Sequence, residues 1–341
     1  MNKKVVTFGE IMLRLSPPNY QRFIQADSFD VTYGGGEANV SISLANFGLE
    51  SYYVTKLPNN PIGDAALNHL RRFGVKVDYI VRGGYRLGIY FLEIGAAQRP
   101  SKVIYDRAHS AIAEAKVGDF DWDQIFKDAD WFHFTGITPA LSDTAAELTL
   151  NALKKAKQNK VKVSCDLNYR GKLWSPEKAN KVMSQLMEYV DIALGNEEDA
   201  EKVFGIKAPK TDITTGQLSK KDYNFVAEAL IKRFHFKLVA ITLRESYSAS
   251  DNGWSAIAYD GKKFYNSNKY RIHIVDRVGG GDAFAGGLIY SLINGTPLQE
   301  ALEFAVAAAC LKHTIPGDFN MISVDEAMSV QKGEVSGRVQ R

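Results

Sequence analysis

Cysteine is scarce in this chain: 341 residues carry two, Cys165 and Cys310. One sits in an apolar strand-like run and the other in an alanine-rich helical run. They lie far apart, without metal-ligand spacing, so two reduced, buried thiols are expected rather than a disulfide framework. The six histidines form no HExxH or paired arrangement, and no zinc or iron site is expected. No apolar run approaches a transmembrane span. The opening MNKKVVTFGEIML lacks the length of a signal segment and a small-residue cleavage site, and it reads as a first strand of a cytoplasmic protein. Charge of one sign is also missing: 42 basic and 39 acidic residues leave +3, with no long block of either. That argues against a nucleic-acid stripe or a membrane-surface patch. Internal repeats, low-complexity tracts and a Pro/Ser/Gly-rich linker are absent. So are GxxxxGK[ST], a GxGxxG after a strand, and the protein-kinase signatures, which sets aside P-loop, dinucleotide-binding and protein-kinase chemistry.

What is present is a well-supplied core, 45% hydrophobic, in a chain long enough for one large or two ordinary domains. From about residue 112, short apolar runs (DADWFHFTGI, VKVSCDLN, YVDIALGN, FKLVAITLRE) alternate with segments of helical period (TAAELTLNALKKAKQN, PEKANKVMSQLMEY, DYNFVAEALIKRFH). This alternation predicts an α/β fold with a doubly wound, mostly parallel sheet. Ligands gather at the carboxyl ends of such strands, which directs attention to Asp166, Asn168, Arg170, Asn196 and Thr242. The first third reads differently, with hairpin-like alternation over 20–33 and 78–107 and no helical crossover between the strands of the second stretch. A small β lid, inserted from about 12–33 and 78–107 within a single domain spanning 1–341, is expected. The polar tail after about residue 331 is expected to fray.

The chemistry is concentrated in DRVGGGDAF, residues 276–284. Glycines before a helix let an anion approach the free N–H groups and positive dipole end of its first turn. Asp282 at that start is equally well read as a simple cap. A second glycine cluster, YGGGEANVSISLANFGL at 33–49, is followed by LPNNPIGD ending at Asp64. Together, Gly35, Gly36 and Asn39, then Gly63 and Asp64, then Asp276, Gly279, Gly281 and Asp282 resemble the two signatures of the PfkB, or ribokinase-like, family of sugar kinases. The resemblance spans nearly the whole chain. It departs from the usual pattern at Gly280, where that family has alanine, a change that is sterically permissive.

The resemblance implies ATP and Mg2+ as cofactors, with Gly279, Gly280 and Gly281 as an anion hole for the γ-phosphoryl group. It also implies that Asp282, an aspartate of ordinary pKa, accepts the proton of the attacking sugar hydroxyl. The stretch GIYFLEIGAAQRPSKVIYDRAHSAIA, 88–113, is similar to the 2-keto-3-deoxygluconate kinase branch. By that likeness Tyr90, Tyr105 and Arg107 face a sugar acid, together with Gly35, Gly36 and Asn39. Arg170 of DLNYR holds the carboxylate. A guanidinium fork suits a carboxylate. By spacing alone, Arg107 reads instead as an ion pair with Asp106 or a nearby glutamate, and the tyrosines as half-buried strand packing. Relatives that act on neutral sugars carry an aspartate after the first strand where GEIMLR here offers Arg14, which disfavours a neutral sugar. Asn196 and Asp199 match an N-x-x-E element that orders magnesium through water, although a helix cap explains them as well. Thr242 in ITLRES is a phosphate or ribose contact, with Arg244 in place of a usual glycine, and AAACLKHTIPGDFN flanks the adenine.

The implied reaction is phosphorylation of 2-keto-3-deoxygluconate at its terminal (C6) hydroxyl. Rivals are a fructokinase or a kinase of the galacto epimer within the family, and, from another class, a non-catalytic sugar-acid binding protein. A nicotinamide-dependent oxidoreductase is set aside by the missing glycine fingerprint. The likeness also implies a homodimer or higher homo-oligomer paired through the lids, and the charge balance implies no nucleic-acid or membrane partner.

Overall fold

The computed structural model describes residues 3–208 and 220–334. Its strands, in chain order, are β1 (Lys4–Phe8), β2 (Met12–Ser16), β3 (Asp30–Gly34), β4 (Glu50–Leu57), β5 (Ile80–Arg82), β6 (Gly88–Glu93), β7 (Lys102–Asp106), β8 (Trp131–Thr135), β9 (Lys162–Asp166), β10 (Ile192–Gly195), β11 (Leu238–Ser246), β12 (Asp251–Tyr259), β13 (Phe264–Asn266) and β14 (Tyr270–His273). The main sheet runs β13-β12-β11-β10-β9-β8-β1-β4-β5, with β14 also paired to β12. It is parallel from β11 to β5 and antiparallel where β12 joins β11, β13 and β14. This is the doubly wound, mostly parallel sheet that the alternation of runs predicts.

The central strands read as near-continuous apolar runs because both their faces are covered. In β8, Phe132 and Phe134 join one core, with Val163, Cys165, Ala193 and Val239 of its neighbours, beneath the helices Asp143–Gln158, Pro176–Met187 and Lys220–Phe234. Trp131, on the other side of the same strand, joins Val5, Ile192, Leu194 and Ala240 beneath the helices Gly36–Asn46, Gly280–Ile293 and Leu298–Lys312. Cys165 and Cys310 are both buried free thiols, as their apolar contexts suggest. Helix starts follow local chemistry: Asn60 and Ser175 each cap a helix that has proline at its first position, accepting from Gly63 N and Lys178 N. No helix among the described residues is long and apolar enough to cross a membrane.

A second, four-stranded sheet, β3-β2-β6-β7, is the small β layer expected as a lid. Its extent differs from the expectation in two respects. Ile80–Arg82 pairs with β4 at the edge of the main sheet, so the lid's second part starts at β6. The crossover that delivers β5 is the helix Pro61–Arg72, which precedes the alternating stretch and so left no mark within it. Residues 20–29 hold a single 3-10 turn, Phe23–Gln25, and the strand begins only at Asp30. The first third therefore also builds the main sheet, through β1, β4 and the helix between them. The frayed tail expected after residue 331 lies mostly outside the described residues.

One buried acid ties these layers at the working end. Glu37, in the first turn of Gly36–Asn46, accepts from Thr135 N and Thr135 Oγ1, both at 2.9 Å, and from Thr138 Oγ1 at 2.6 Å. Burial pushes its carboxyl up to about 7, against those hydrogen bonds. It thereby fixes the second glycine cluster to the carboxyl end of β8.

Candidate active site

A cleft of about 1290 Å³ opens at the carboxyl ends of the parallel strands, beneath the lid sheet. It brings together residues far apart in sequence: Gly35, Gly36 and Asn39; Tyr90, Tyr105 and Arg107; Asp166 and Arg170; Asn196 and Asp199; Thr242; and Gly279 through Asp282. Gly63 and Asp64 are not among its lining. Asp64 forms an exposed ion pair with Arg82 at 2.7 Å, and a Cβ on Gly63 would stand 2.1 Å from Pro58 O. That part of the motif shapes a turn.

The helix Gly280–Ile293 starts in the cleft with no side chain capping its first amides. Gly279, its N-cap residue, has φ 83°, and a Cβ there would meet Asp318 O at 2.0 Å, so glycine is required. Uncapped N–H groups at the positive end of a 14-residue helix are chemically suited to an anion. Asp282 turns its carboxylate toward the other glycine cluster: Asn39 Nδ2 donates to Asp282 Oδ2 at 2.6 Å, and Asn39 Oδ1 accepts from Gly35 N at 3.3 Å. A Cβ on Gly35 would lie 1.9 Å from Glu10 O, and one on Gly36 would lie 3.6 Å from Asp282 Oδ1. The two glycine clusters thus form facing walls, with the carboxylate between them. Burial raises the Asp282 carboxyl to about 6; Asn39 opposes the shift, Asp318 adds to it, and Arg170 and Lys312 oppose it. The ordinary aspartate pKa expected from sequence is corrected upward by this burial.

Gly280 is a further correction, because it is constrained rather than merely permitted. A Cβ at that position would sit 2.2 Å from His313 Cε1. The imidazole cannot easily retreat: Nδ1 donates to Ala309 O at 2.6 Å and the ring lies 4.9 Å from that of Trp254. Burial lowers His313 to about 4, so it is neutral at physiological pH. Its ring fills the room that a methyl group would need. Nothing in the sequence pairs positions 280 and 313.

The lid side chains are less free than their types suggest. Arg107 donates through Nε to Glu10 Oε2 at 2.8 Å and through Nη2 to the same oxygen, so its charge is met inside the chain. The nearby glutamate foreseen as an alternative partner is Glu10, while Asp106 pairs with Arg86. Tyr90 donates its hydroxyl to Asp318 Oδ2 at 2.5 Å. Tyr105 is more open, with its ring 6.0 Å from that of Tyr90 and the Arg107 guanidinium 5.3 Å above it. Arg14, expected to bear on the sugar, is buried instead. Nη2 meets Asp276 and Nη1 meets Asp318, each at 2.6 Å, and Nε donates to Ser16. Both ends of its fork are committed, which removes it from the argument over neutral sugars.

Arg170 lies near Asp166, Asp199 and Asp282 and, among the described residues, donates only to Tyr169 O at 3.0 Å. Asn196 and Asp199 make a reciprocal capping box, Asp199 N to Asn196 Oδ1 at 2.8 Å and Asn196 N to Asp199 Oδ2 at 3.1 Å. The second Asp199 oxygen accepts from Tyr169 N at 2.8 Å. Asp166 is raised well above the usual carboxylate range by burial, then by Asp199 and Asp282. Thr242 Oγ1 lies 3.5 Å from Gly195 O. Two cleft residues, Arg244 and Arg277, have no acid within ion-pair distance among the described residues. Sequence reading missed Arg277, Trp254, Lys312 and Asp318, and foresaw Glu10 only as an unspecified glutamate. Arg277 stands inside the quoted motif, at a position whose type the motif leaves free.

With this geometry in place, comparison with known proteins defines the class. The family model for pfkB family carbohydrate kinases matches residues 2–323, and the chain belongs to that family. It is a carbohydrate kinase of an ATP-using family. The crystal structure of 2-dehydro-3-deoxygluconokinase from Thermotoga maritima is 58% identical, with TM-score 0.94 over 97% of this chain and 100% of that one. The 2-dehydro-3-deoxygalactonokinase of Haloferax volcanii is 35% identical over 337 residues, 99% of each chain. Fructokinase from Xylella fastidiosa, solved with bound ATP, shares the fold at 22% identity and TM-score 0.79, over 98% of this chain and 99% of that one.

The crowding at position 280 generates a test. Gly280→Ala overpacks the anion-binding turn against His313, a strain typically costing about 1–3 kcal/mol, and lowers both the unfolding midpoint and turnover. Adding His313→Ala, which vacates the space, recovers most of the stability. A single Gly280→Ala variant as stable as the parent would refute the steric account.

Proposed function

We propose that the protein transfers the γ-phosphoryl group of ATP to the terminal (C6) hydroxyl of 2-keto-3-deoxygluconate, giving the 6-phosphate and ADP. The observation that carries this reading is the meeting, in one cleft, of Asp282, the uncapped glycine-led helix start and Arg170 beneath the lid. The triphosphate lies with its γ-phosphoryl oxygens on the amides of Gly280 and Gly281. The C6 oxygen attacks phosphorus, the bond to the bridging oxygen of the β-phosphate breaks, and the hydroxyl proton passes to Asp282. Phosphoryl transfer needs alignment and charge stabilisation more than covalent help, and the two glycine walls supply both. With its carboxyl near 6, Asp282 is a better base than an ordinary aspartate and still ionised at neutral pH.

Magnesium fits this site as a companion of the nucleotide. Among the described residues no group of three or more His, Cys, Asp or Glu side chains could hold a metal ion, and both Asp199 oxygens receive backbone amides. Mg2+ commonly keeps several waters and leans on substrate phosphates. Asp166 and Asp199, two close acids whose charged forms burial disfavours, would face it through water. The ion would supply charge neutralisation for the polyphosphate. Arg244 and Arg277 suit the same polyanion, and Thr242 a phosphate or ribose oxygen.

For the acceptor, Arg170 is the cation best placed for a carboxylate, because Arg107 is already matched by Glu10. The Thermotoga maritima relative supports the gluco acid. The Haloferax volcanii relative favours a second reading, the galacto epimer. The lid's outer surface supports pairing of two chains: Ile24, Val31 and Ile104 are 90%, 58% and 54% exposed.

Four outcomes are expected. Asp282→Asn keeps its unfolding midpoint and loses about 10²–10⁴-fold in kcat. In the parent, kcat/KM declines below pH 6, reaching about a tenth of its plateau at pH 5. A fully active Asn variant, or a flat profile down to pH 5, excludes Asp282 as the base. In an ADP-release assay over neutral sugars and sugar acids, 2-keto-3-deoxygluconate gives the highest kcat/KM, and Arg170→Ala raises KM for acids about tenfold or more while sparing neutral sugars. Preference for fructose, or sugar-acid binding without ADP formation, would overturn the assignment. Arg107→Ala is a poorer probe, since it strands a buried glutamate. Light scattering gives twice the chain mass, and Val31→Lys with Ile104→Lys gives the mass of one chain; a parent of single-chain mass rules out lid pairing.

A further inference from the structure

Lys312 is the last residue of the helix Leu298–Lys312, and its side chain is completely buried. A buried lysine without acceptors would lose its proton or unfold its surroundings. This one has a full set: Nζ donates to Gly317 O at 2.6 Å, Ile315 O at 3.3 Å and Asp276 O at 3.4 Å. Three N–H donors meet three backbone carbonyls drawn from two loops. These loops, 276–279 and 315–318, are the ones that bring Gly279 against Asp318 O, and Lys312 Cε lies 3.3 Å from where a Cβ on Gly279 would stand. The ammonium therefore fastens the floor of the anion-binding turn.

Its charge matters as much as its bonds. Arg14, Asp276 and Asp318 are buried alongside, so two carboxylates are balanced by one guanidinium and one ammonium. Burial lowers the Lys312 pKa, and Asp276 and Asp318 oppose that shift; the three carbonyl acceptors around Nζ suit the three donors of an ammonium. Without it the cluster would carry an uncompensated negative charge next to Asp282 and to the turn that must receive a triphosphate.

A ring of backbone carbonyls beside carboxylates is also a setting in which an alkali cation replaces its water shell. We propose that Lys312 is a positioning residue for phosphoryl transfer, its ammonium acting as a built-in monovalent cation that braces the Gly279–Gly281 turn and renders the enzyme independent of added potassium. The inference rests on the reading that this turn binds the nucleotide.

The test compares the parent, Lys312→Ala and Lys312→Met in sodium, potassium, ammonium and choline chlorides at constant ionic strength. Turnover, ATP affinity by calorimetry and the unfolding midpoint are read in each. The parent is expected to respond equally to all four salts. Lys312→Ala, which opens a cavity in the cage, loses at least about tenfold in kcat, and much of that loss returns with potassium or ammonium but not with choline. Lys312→Met keeps the volume of the stem and excludes the ion. It shows no rescue, and the acid limb of its pH profile moves to higher pH because Asp282 has lost a nearby positive charge. Where the alanine variant does not fold, that limb decides. Severalfold stimulation of the parent by potassium, a loss in Lys312→Ala that choline reverses equally well, or an unmoved limb in Lys312→Met would overturn the proposal. A parent that turns over no sugar acid would instead refute the substrate assignment, and the cation effect would then be read on ATP affinity.

Discussion

Buried charge has to be matched within the protein, and that requirement governs the working end of this molecule. Arg14 on β2 reaches both Asp276 and Asp318, Tyr90 on β6 donates to Asp318, and Asp276 accepts from the amides of Val278 and Gly317. Separately, each of these groups would be costly to bury; together they complete one another's hydrogen bonds. The cluster also joins parts that have to cooperate. Two strands of the small sheet are rooted, through Arg14 and Tyr90, in the same loops that present the glycine turn, so the layer over the cleft and the start of the glycine-led helix share one foundation.

The cleft above that foundation is electrically divided. Asp166, Asp199 and Asp282 cluster near the centre, and burial raises the proton affinity of all three. Arg244 and Arg277 stand without acid partners among the described residues, and burial followed by the nearness of Arg244 depresses the Arg277 pKa. Such a distribution places acids and unpaired guanidinium groups in the same cleft. The same burial that makes Asp282 costly to ionise raises its carboxyl to about 6, which is the kind of perturbation that marks a candidate functional group.

The fold was legible where burial on both faces leaves a continuous apolar signature. WFHFT, VSC and IAL announce themselves as central strands whatever their partners. Edges were less legible. Three residues, Ile80–Arg82, gain strand character only from β4 beside them, and residues 20–29 show alternation without a partner to pair with. Alternation is a local property, whereas membership of one sheet or another depends on where a crossover delivers the strand.

In the site, the residue types and motif spacing pointed to Asp282, Asn39 and the glycine run, and the sequence by itself determined that a carboxylate would open a glycine-led helix. What each polar side chain was free to do belonged to tertiary structure. Arg107 looks like a ligand for a sugar acid, and Arg14 like an argument against a neutral sugar, until Glu10 is found beside the one and Asp276 and Asp318 beside the other, about a hundred or hundreds of residues away along the chain. Gly280 looks like a tolerated change until His313 occupies the missing methyl's place, and nothing in AAACLKHTIPGDFN singles out Lys312 until three carbonyls close around it. A sequence specifies which charges exist; only the folded chain decides which of them are already neutralised, because Coulombic and hydrogen-bond matching depend on distances that chain order does not encode.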